Sequence, residues 1–288
     1  MTDPVQQAAA LYQAGKFGEA AQLYQQALRA DPRRFDALYS LGIVLFRTGQ
    51  FANAADVLVR AMRVDPSFAD GWLALGLVQA RLQRHDEALA AFDRAIALRP
   101  DSAEAHCNRA TVLIEADRLE EALAGFDRAL AIAPNHAVSW NNRGNTLAAM
   151  KRLHEAIESF DRTLALNPGN LIAWCNRGNA LLALKRANEA VESYDRALAL
   201  DPDFVEALVS RANALLELDR AEESLAGFDR ALALDPDSTV ARRNRLHALG
   251  ATKRGTPAYA GIVYEQAQEA MRNESWQEAL ARFDELGG

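Results

Sequence analysis

Apolar residues recur along this chain at intervals of three and four, the spacing that lines one face of an α-helix. No stretch alternates apolar and polar positions as a strand would. The helical pattern is itself periodic. Pro32, Pro66, Pro100, Pro134, Pro168, Pro202 and Pro236 follow one another every 34 residues, without an insertion. Numbering each unit so that these prolines fall at position 32, the units begin at residues 1, 35, 69, 103, 137, 171 and 205. Position 8 is then always small: Ala8, Gly42, Gly76, Ala110, Gly144, Gly178 and Ala212. Position 20 is Ala20, Ala54, Ala88, Ala122, Ala156, Ala190 and Ser224. Position 24 is large: Tyr24, Leu58, Phe92, Phe126, Phe160, Tyr194 and Phe228. Position 4 carries Trp72, Trp140 and Trp174.

The spacing predicts two helices per unit. Small residues at 8 and 20 let them approach closely, and large residues at 4, 11 and 24 fill the space around that contact. Proline at 32 cannot continue a helix and biases its predecessor out of the α region, which ends the second helix. After residue 238 the register falters. Residues 239–253 read as a first helix with Asn244 and Leu249 in place, and Arg254-Gly255-Thr256-Pro257 reads as a break. Residues 260–288 read as a further, frame-shifted unit, with Ala267, Ala279 and Phe283 at the two small positions and the aromatic one. Trp276 stands there where Phe17 and Phe51 stand in the first two units.

Small residues at 8, 20 and 27, an aromatic at 24 and proline at 32 resemble the tetratricopeptide repeat (TPR), over residues 1–238 without a break. Ser224 and Thr163 replace alanine, and Pro4 takes the first large position. The resemblance implies an all-α fold: antiparallel helix pairs stacked in a right-handed superhelical solenoid, the first helix of each pair lining a concave face. The expected organisation is seven contiguous repeats over 1–238, then an irregular eighth unit and a C-terminal TPR-like helix pair over 239–288.

A charge pattern rides on the repeat. Position 7 is Arg109, Arg143, Arg177, Arg211 and Arg245, and position 25 is Asp93, Asp127, Asp161, Asp195 and Asp229. Each aspartate precedes an arginine of the next repeat, which predicts a contact across the stacking seam. The alternative is two solvated charges copied by duplication. Exposed pairs of this kind contribute only about 0–1 kcal/mol each.

Composition narrows the function. Half the residues are hydrophobic and the net charge is −7. An acidic chain gains nothing from counterion release on a nucleic acid, so nucleic acid is a poor partner. No run of about 18 apolar residues is present, so no membrane insertion is expected. Met1 to Gln7 lacks a basic segment followed by an apolar one and does not read as a secretory signal; Asp3-Pro4 reads as a helix start. Cys107 and Cys175 form no CxxC pair and stand two whole repeats apart, which points to a reducing compartment, the cytoplasm. His85, His106, His136, His154 and His247 scatter over different repeat positions, none at metal-ligand spacing with a carboxylate or cysteine. No phosphate loop, GxSxG or dinucleotide fingerprint occurs. The expectation is a chain with no catalytic residues, no metal site and no cofactor.

The groove carries the remaining signal. The resemblance places positions 2, 5, 6, 9, 12 and 13 on it. Position 6 gives Asn108, Asn142, Asn176 and Asn244, with Ser210 interrupting; position 9 gives Asn145, Asn179 and Asn213; Asn141 sits at position 5. Asparagine is a mediocre helix former, so repeated placement inside helices asks for a reason. Its amide offers a donor and an acceptor, which is what a peptide backbone needs. His106-Cys107-Asn108 and Trp174 to Leu181 are similar to repeats of O-GlcNAc transferase, where an asparagine ladder grips the backbone of extended substrates. The resemblance implies a ladder of Asn108, Asn142, Asn176 and Asn244, absent from the first three repeats, which hold Gln6, Ser40 and Ala74. The alternative is polar filler on a hydrated surface. The carboxylate clamp of TPR co-chaperones fits less well: positions 2 and 5 hold no lysine, Arg47, Arg81 and Arg243 are isolated, and Glu104, Glu115, Glu206 and Glu217 would repel an acidic tail. The leading expectation is a scaffold that binds an extended protein segment. The other two are the substrate-recruiting part of a larger glycosyltransferase, and self-association through the C-terminal end, where Trp276, Leu280 and Phe283 lack a following helix.

Overall fold

The helices begin and end where side chains and proline allow. Asp3 caps the first through its carboxylate, which accepts from the Val5 amide at 3.0 Å, and Pro4 opens the helix with its fixed φ. Ser102 and Asn170 cap other first helices in the same way, accepting from the amides of Ala105 and Ala173. The computed structural model describes residues 3–253 together with Gly261 and Glu265. Among them every regular element is an α-helix. The expected break at Arg254–Pro257 and the expected final pair around Ala267, Trp276, Ala279 and Phe283 lie outside the described residues.

The chain divides into two units, with the boundary after Thr146. The first holds α1 (Pro4–Gln13), α2 (Phe17–Ala30), α3 (Phe35–Arg47), α4 (Phe51–Val64), α5 (Ala69–Arg81), α6 (His85–Leu98), α7 (Ala103–Glu115), α8 (Leu119–Ile132) and most of α9 (Ala137–Ala149). The second holds α10 (Leu153–Leu166), α11 (Leu171–Ala183), α12 (Ala187–Leu200), α13 (Val205–Glu217), α14 (Ala221–Leu234) and α15 (Thr239–Lys253). Within each unit, odd and even helices form antiparallel pairs that stack on their neighbours. The turn inside each pair passes through a left-handed residue at position 15. Gly15 and Gly49 adopt it in the first two repeats (φ 75° and 76°), and Gln83, Asp117, Lys151, Lys185 and Asp219 in the next five (φ 58–61°). A non-glycine residue there costs roughly 1–2 kcal/mol of local strain, which the packing on either side overrides.

The large side chain at position 24 is buried in every repeat. It lies against position 8 so closely that a Cβ on Gly76 would stand 2.6 Å from the Phe92 ring, and one on Gly178 would stand 2.6 Å from the Tyr194 ring. In the fourth and seventh repeats position 8 is alanine and position 23 is glycine: a Cβ on Gly125 would meet the Cβ of Ala110 at 2.9 Å, and one on Gly227 would meet that of Ala212 at 3.1 Å. The third repeat has the opposite choice, Gly76 with Ala91. In these three repeats the two helices have room for one methyl at this crossing, from either side.

In four repeats the side chain at position 4 ties the repeat to the one before. Trp72, Trp140 and Trp174 donate their indole N–H to the carbonyls of Pro66, Pro134 and Pro168, at 2.9, 2.8 and 3.0 Å. His106 makes the same contact with the Pro100 carbonyl at 3.1 Å. The proline that stops one helix thereby presents its carbonyl to the next.

Candidate functional site

The Asp–Arg contacts form as the repeat spacing predicts, all five across repeat seams. Arg109, Arg143 and Arg177 donate Nε–H to Asp93, Asp127 and Asp161 at 2.7 Å, Arg211 to Asp195 at 2.5 Å, and Arg245 to Asp229. The arginines are half-buried and the aspartates exposed. Arg177 also donates to the Ser193 hydroxyl at 2.7 Å. A second recurring pair escaped the sequence reading. Arg118, Arg152, Arg186 and Arg220, just before the second helices, each grip a glutamate three residues on with two hydrogen bonds. Those glutamates stand at the third helical position, where a negative charge faces the positive helix end. The arginine fork holds Glu121, Glu189 and Glu223 below the usual carboxylate range.

In the first unit the first helices α3, α5 and α7 enclose a cavity of about 460 Å³. It is lined by Phe46, Leu77, Ala80, Arg81, Gln83, Phe92, Asn108, Thr111, Val112 and Glu115. Those on the first helices fall at positions 6, 9, 10, 12 and 13. Asn108 is half-buried in its wall. Asn142 on α9 donates to the Thr111 hydroxyl at 3.4 Å, and Asn141 donates to the Asn142 carbonyl oxygen at 3.4 Å. The Asn141 Oδ1 is buried with no hydrogen-bond partner among the described residues. Asn145, one turn on, is exposed.

In the second unit Asn176 is half-buried on α11 and Asn179 is exposed, its carbonyl accepting from the Tyr194 hydroxyl at 2.7 Å. Asn244 on α15 donates to Asn213 on α13 at 2.9 Å. The amides therefore sit on first helices at regular positions, and several already spend part of their hydrogen-bonding capacity inside the protein. Position 5 behaves differently from the groove expectation: Cys107 and Cys175 are buried and unbonded to each other. Burial pushes both thiols up, Cys175 to about 12.

Two features were missed. Ala80 stands at position 12 between Phe46 and Ile114 in the neighbouring repeats, and it borders the cavity. Gln79 stands at position 11, where the other repeats have leucine; it is buried, and its Oε1 has no hydrogen-bond partner among the described residues. Both were legible by comparing the repeats position by position. Among the described residues no helix is long and apolar enough to cross a membrane, and no group of three His, Cys, Asp or Glu is placed to hold a metal ion.

A family model described as tetratricopeptide repeat matches residues 5–67, 44–102 and 73–137, and a second of the same description matches residues 137–170 and 172–204. No curated protein matches the chain. Among solved structures it is similar to the C-terminal part of a TPR repeat-containing protein from Cytophaga hutchinsonii (TM-score 0.70, 13% identity, 83% of this chain and 98% of that one). It is similar to PilF of Pseudomonas aeruginosa (TM-score 0.64, 22% identity, 74% and 97%). It is also similar to YrrB, described as a TPR protein with an unusual peptide-binding site (TM-score 0.59, 20% identity, 66% and 98%). At these identities the likeness is one of fold. The residues at 8, 20, 24 and 32, the helix pairs they build and the family models agree, and the chain belongs to the tetratricopeptide-repeat family.

Proposed function

We propose that this chain is a non-catalytic scaffold that binds an extended polypeptide segment on the faces of its first helices. The observation that carries the reading is the cavity between α3, α5 and α7, which opens at positions 6, 9, 12 and 13 and includes Asn108. In the first unit the binding residues are Asn108, Asn141, Asn142 and Asn145; in the second they are Asn176, Asn179, Asn213 and Asn244. Packed helices lie about 8–10 Å apart and an extended chain advances about 3.3–3.6 Å per residue, so one amide meets the segment about every three residues. Glu104 and Glu206, exposed at position 2, favour basic or neutral residues near them. YrrB, with the same fold and a peptide-binding site in its description, supports this reading.

The test uses a phage-displayed library of random dodecapeptides panned on the full chain. Peptides enriched on the wild type bind the triple variant Asn108→Ala, Asn142→Ala and Asn176→Ala at least tenfold more weakly, while the melting temperature stays within a few degrees. Undiminished binding would remove the asparagines from the site.

The similarity of His106-Cys107-Asn108 and Trp174 to Leu181 to O-GlcNAc transferase repeats supports a second reading, in which the chain recruits substrate for a larger glycosyltransferase. An open reading frame that ends at Gly288 overturns it. The buried, unpaired thiols support a reducing compartment, the cytoplasm. Self-association through residues 275–286 is read by sedimentation of the full chain against one lacking residues 258–288; identical mass at all concentrations removes it.

A further inference from the structure

Position 12 decides how deep the first-helix face of the first unit is. Phe46 on α3 and Ile114 on α7 put a large side chain there, and Ala80 on α5 puts a methyl between them. The missing bulk coincides with the cavity of about 460 Å³, within the range of roughly 300–1,000 Å³ usual for ligand pockets. Phe46 and Leu77 form apolar walls. Phe92 and Val112, both fully buried, form the floor. Phe92 reaches that place because Gly76 has no side chain to block it. Its polar lining residues are Arg81, Gln83, Asn108, Thr111 and Glu115.

The rim has a direction. Position 13 is Arg81 on α5, which lines the cavity, and Arg47 on α3, which lies next to the lining residue Phe46 in sequence but does not itself line it; both are exposed. The Arg47 guanidinium lies 5.8 Å from the Tyr12 ring centre and 5.9 Å from that of Phe17, and Arg81 lies 5.4 Å from that of Phe51. Aromatic faces hold a cation in place without cancelling its charge. Among the described residues neither arginine forms an ion pair. On α7 the same position is Glu115, whose carboxylate lies 3.6 Å from His85 Nδ1. Positive charge therefore flanks the cavity on the α3 side and negative charge on the α7 side.

We infer that the gap at Ala80 is a side-chain pocket, which takes one bulky apolar residue of an extended peptide that carries an acidic residue on the α3 side. The inference rests on the peptide-binding reading and names the segment this part of it selects. One helix spacing corresponds to about three extended residues, so the acid stands about three positions from the apolar anchor. Asn108 and Thr111, half-buried in the lining, face the backbone between them.

The same dodecapeptide library tests it on the full chain, with the wild type and two variants, Ala80→Phe and Arg81→Glu. The wild type enriches peptides with Leu, Met, Phe or Trp about three positions from Asp or Glu. Ala80→Phe fills the gap and weakens the strongest selected peptide at least tenfold. Arg81→Glu changes an exposed residue, keeps the fold, and shifts the enriched charge from acidic to basic. It decides the matter if Ala80→Phe melts early. Enriched peptides without this signature, or equal binding by wild type and both variants, overturn the pocket and leave the asparagine reading standing. A wild type that enriches nothing overturns both.

Discussion

Where the first repeat meets the second, Gln25 and Leu41 line a hollow of about 510 Å³ together with Leu28, Leu45 and Val57. Where the third meets the fourth, the same two positions are Asp93 and Arg109, joined at 2.7 Å. The first two seams carry no such pair, and the next repeats carry it five times. The faces of the first helices differ in the same way. The early repeats offer Tyr39, Ile43, Phe46 and Leu77 with Arg47 and Arg81; from the fourth repeat onward asparagine dominates. Yet the helix pairs are alike, with position 24 buried in every repeat and packed against a glycine at position 8 in the second, third and sixth. The packing therefore does not need the ion pairs, whose exposed aspartates limit them to a small contribution. Small and large residues build the stack, and its surfaces were free to take different chemistry.

The largest test of that comparison exchanges the crossing of the third repeat for that of the fourth. Gly125→Ala forces a second methyl against Ala110 and costs about 1–3 kcal/mol. Adding Ala110→Gly recreates the Gly76–Ala91 arrangement and restores most of the loss. Chemical denaturation of both variants reads it, and a double variant no better than the single would show that the two repeats are packed differently.

Gln79 is the exception at position 11. Replacing it with leucine, as in the neighbouring repeats, removes a buried oxygen that has no partner and raises stability by about 1–2 kcal/mol. A lowered melting temperature would mean that the amide has an essential role in the fold.

A smaller effect belongs to the seam. Arg177→Leu is expected to cost less in an Asp161→Asn background than in wild type, with a coupling of about 0.2–1 kcal/mol. The cycle leaves out the Arg177–Ser193 bond, which is lost in both backgrounds. Strict additivity would show that the contact contributes nothing.

The smallest is a pH effect. Glu189 is held below the usual carboxylate range by Arg186. A depressed folded value means that its contribution is complete above the ordinary glutamate value, about 4.3, and is lost as the pH falls through the lower folded one. Glu189→Gln should slightly flatten the fall in melting temperature below about pH 4.3; an unchanged profile would show that this fork is not felt in the stability.

Much of the placement of the candidate site residues was legible before the fold was seen, because a repeat lets one position be compared with itself. Asn108, Asn142, Asn176 and Asn244 could be placed on first helices from spacing alone. What they bond could not. Asn179 takes the Tyr194 hydroxyl and Asn244 binds Asn213, contacts that depend on the exact approach of two helices. The cavity beside Ala80 was hidden for the same reason: an alanine reads as small, and whether its neighbours close over the gap is a matter of packing.

By itself the sequence determined the helix pairs, their length and the repeat, since helical period, proline stops and the small–large pattern are local and recur every 34 residues. It also determined the partners in the Asp–Arg seam, because only one offset matched every aspartate with an arginine. Tertiary structure alone decided how closely the two helices approach at the crossings of Gly125 with Ala110 and Gly227 with Ala212, that position 5 turns inward with Cys107 and Cys175, and that Gln79 is left unpaired. Those outcomes depend on distances between side chains from different helices, set to fractions of an ångström by close packing, and no local pattern carries them.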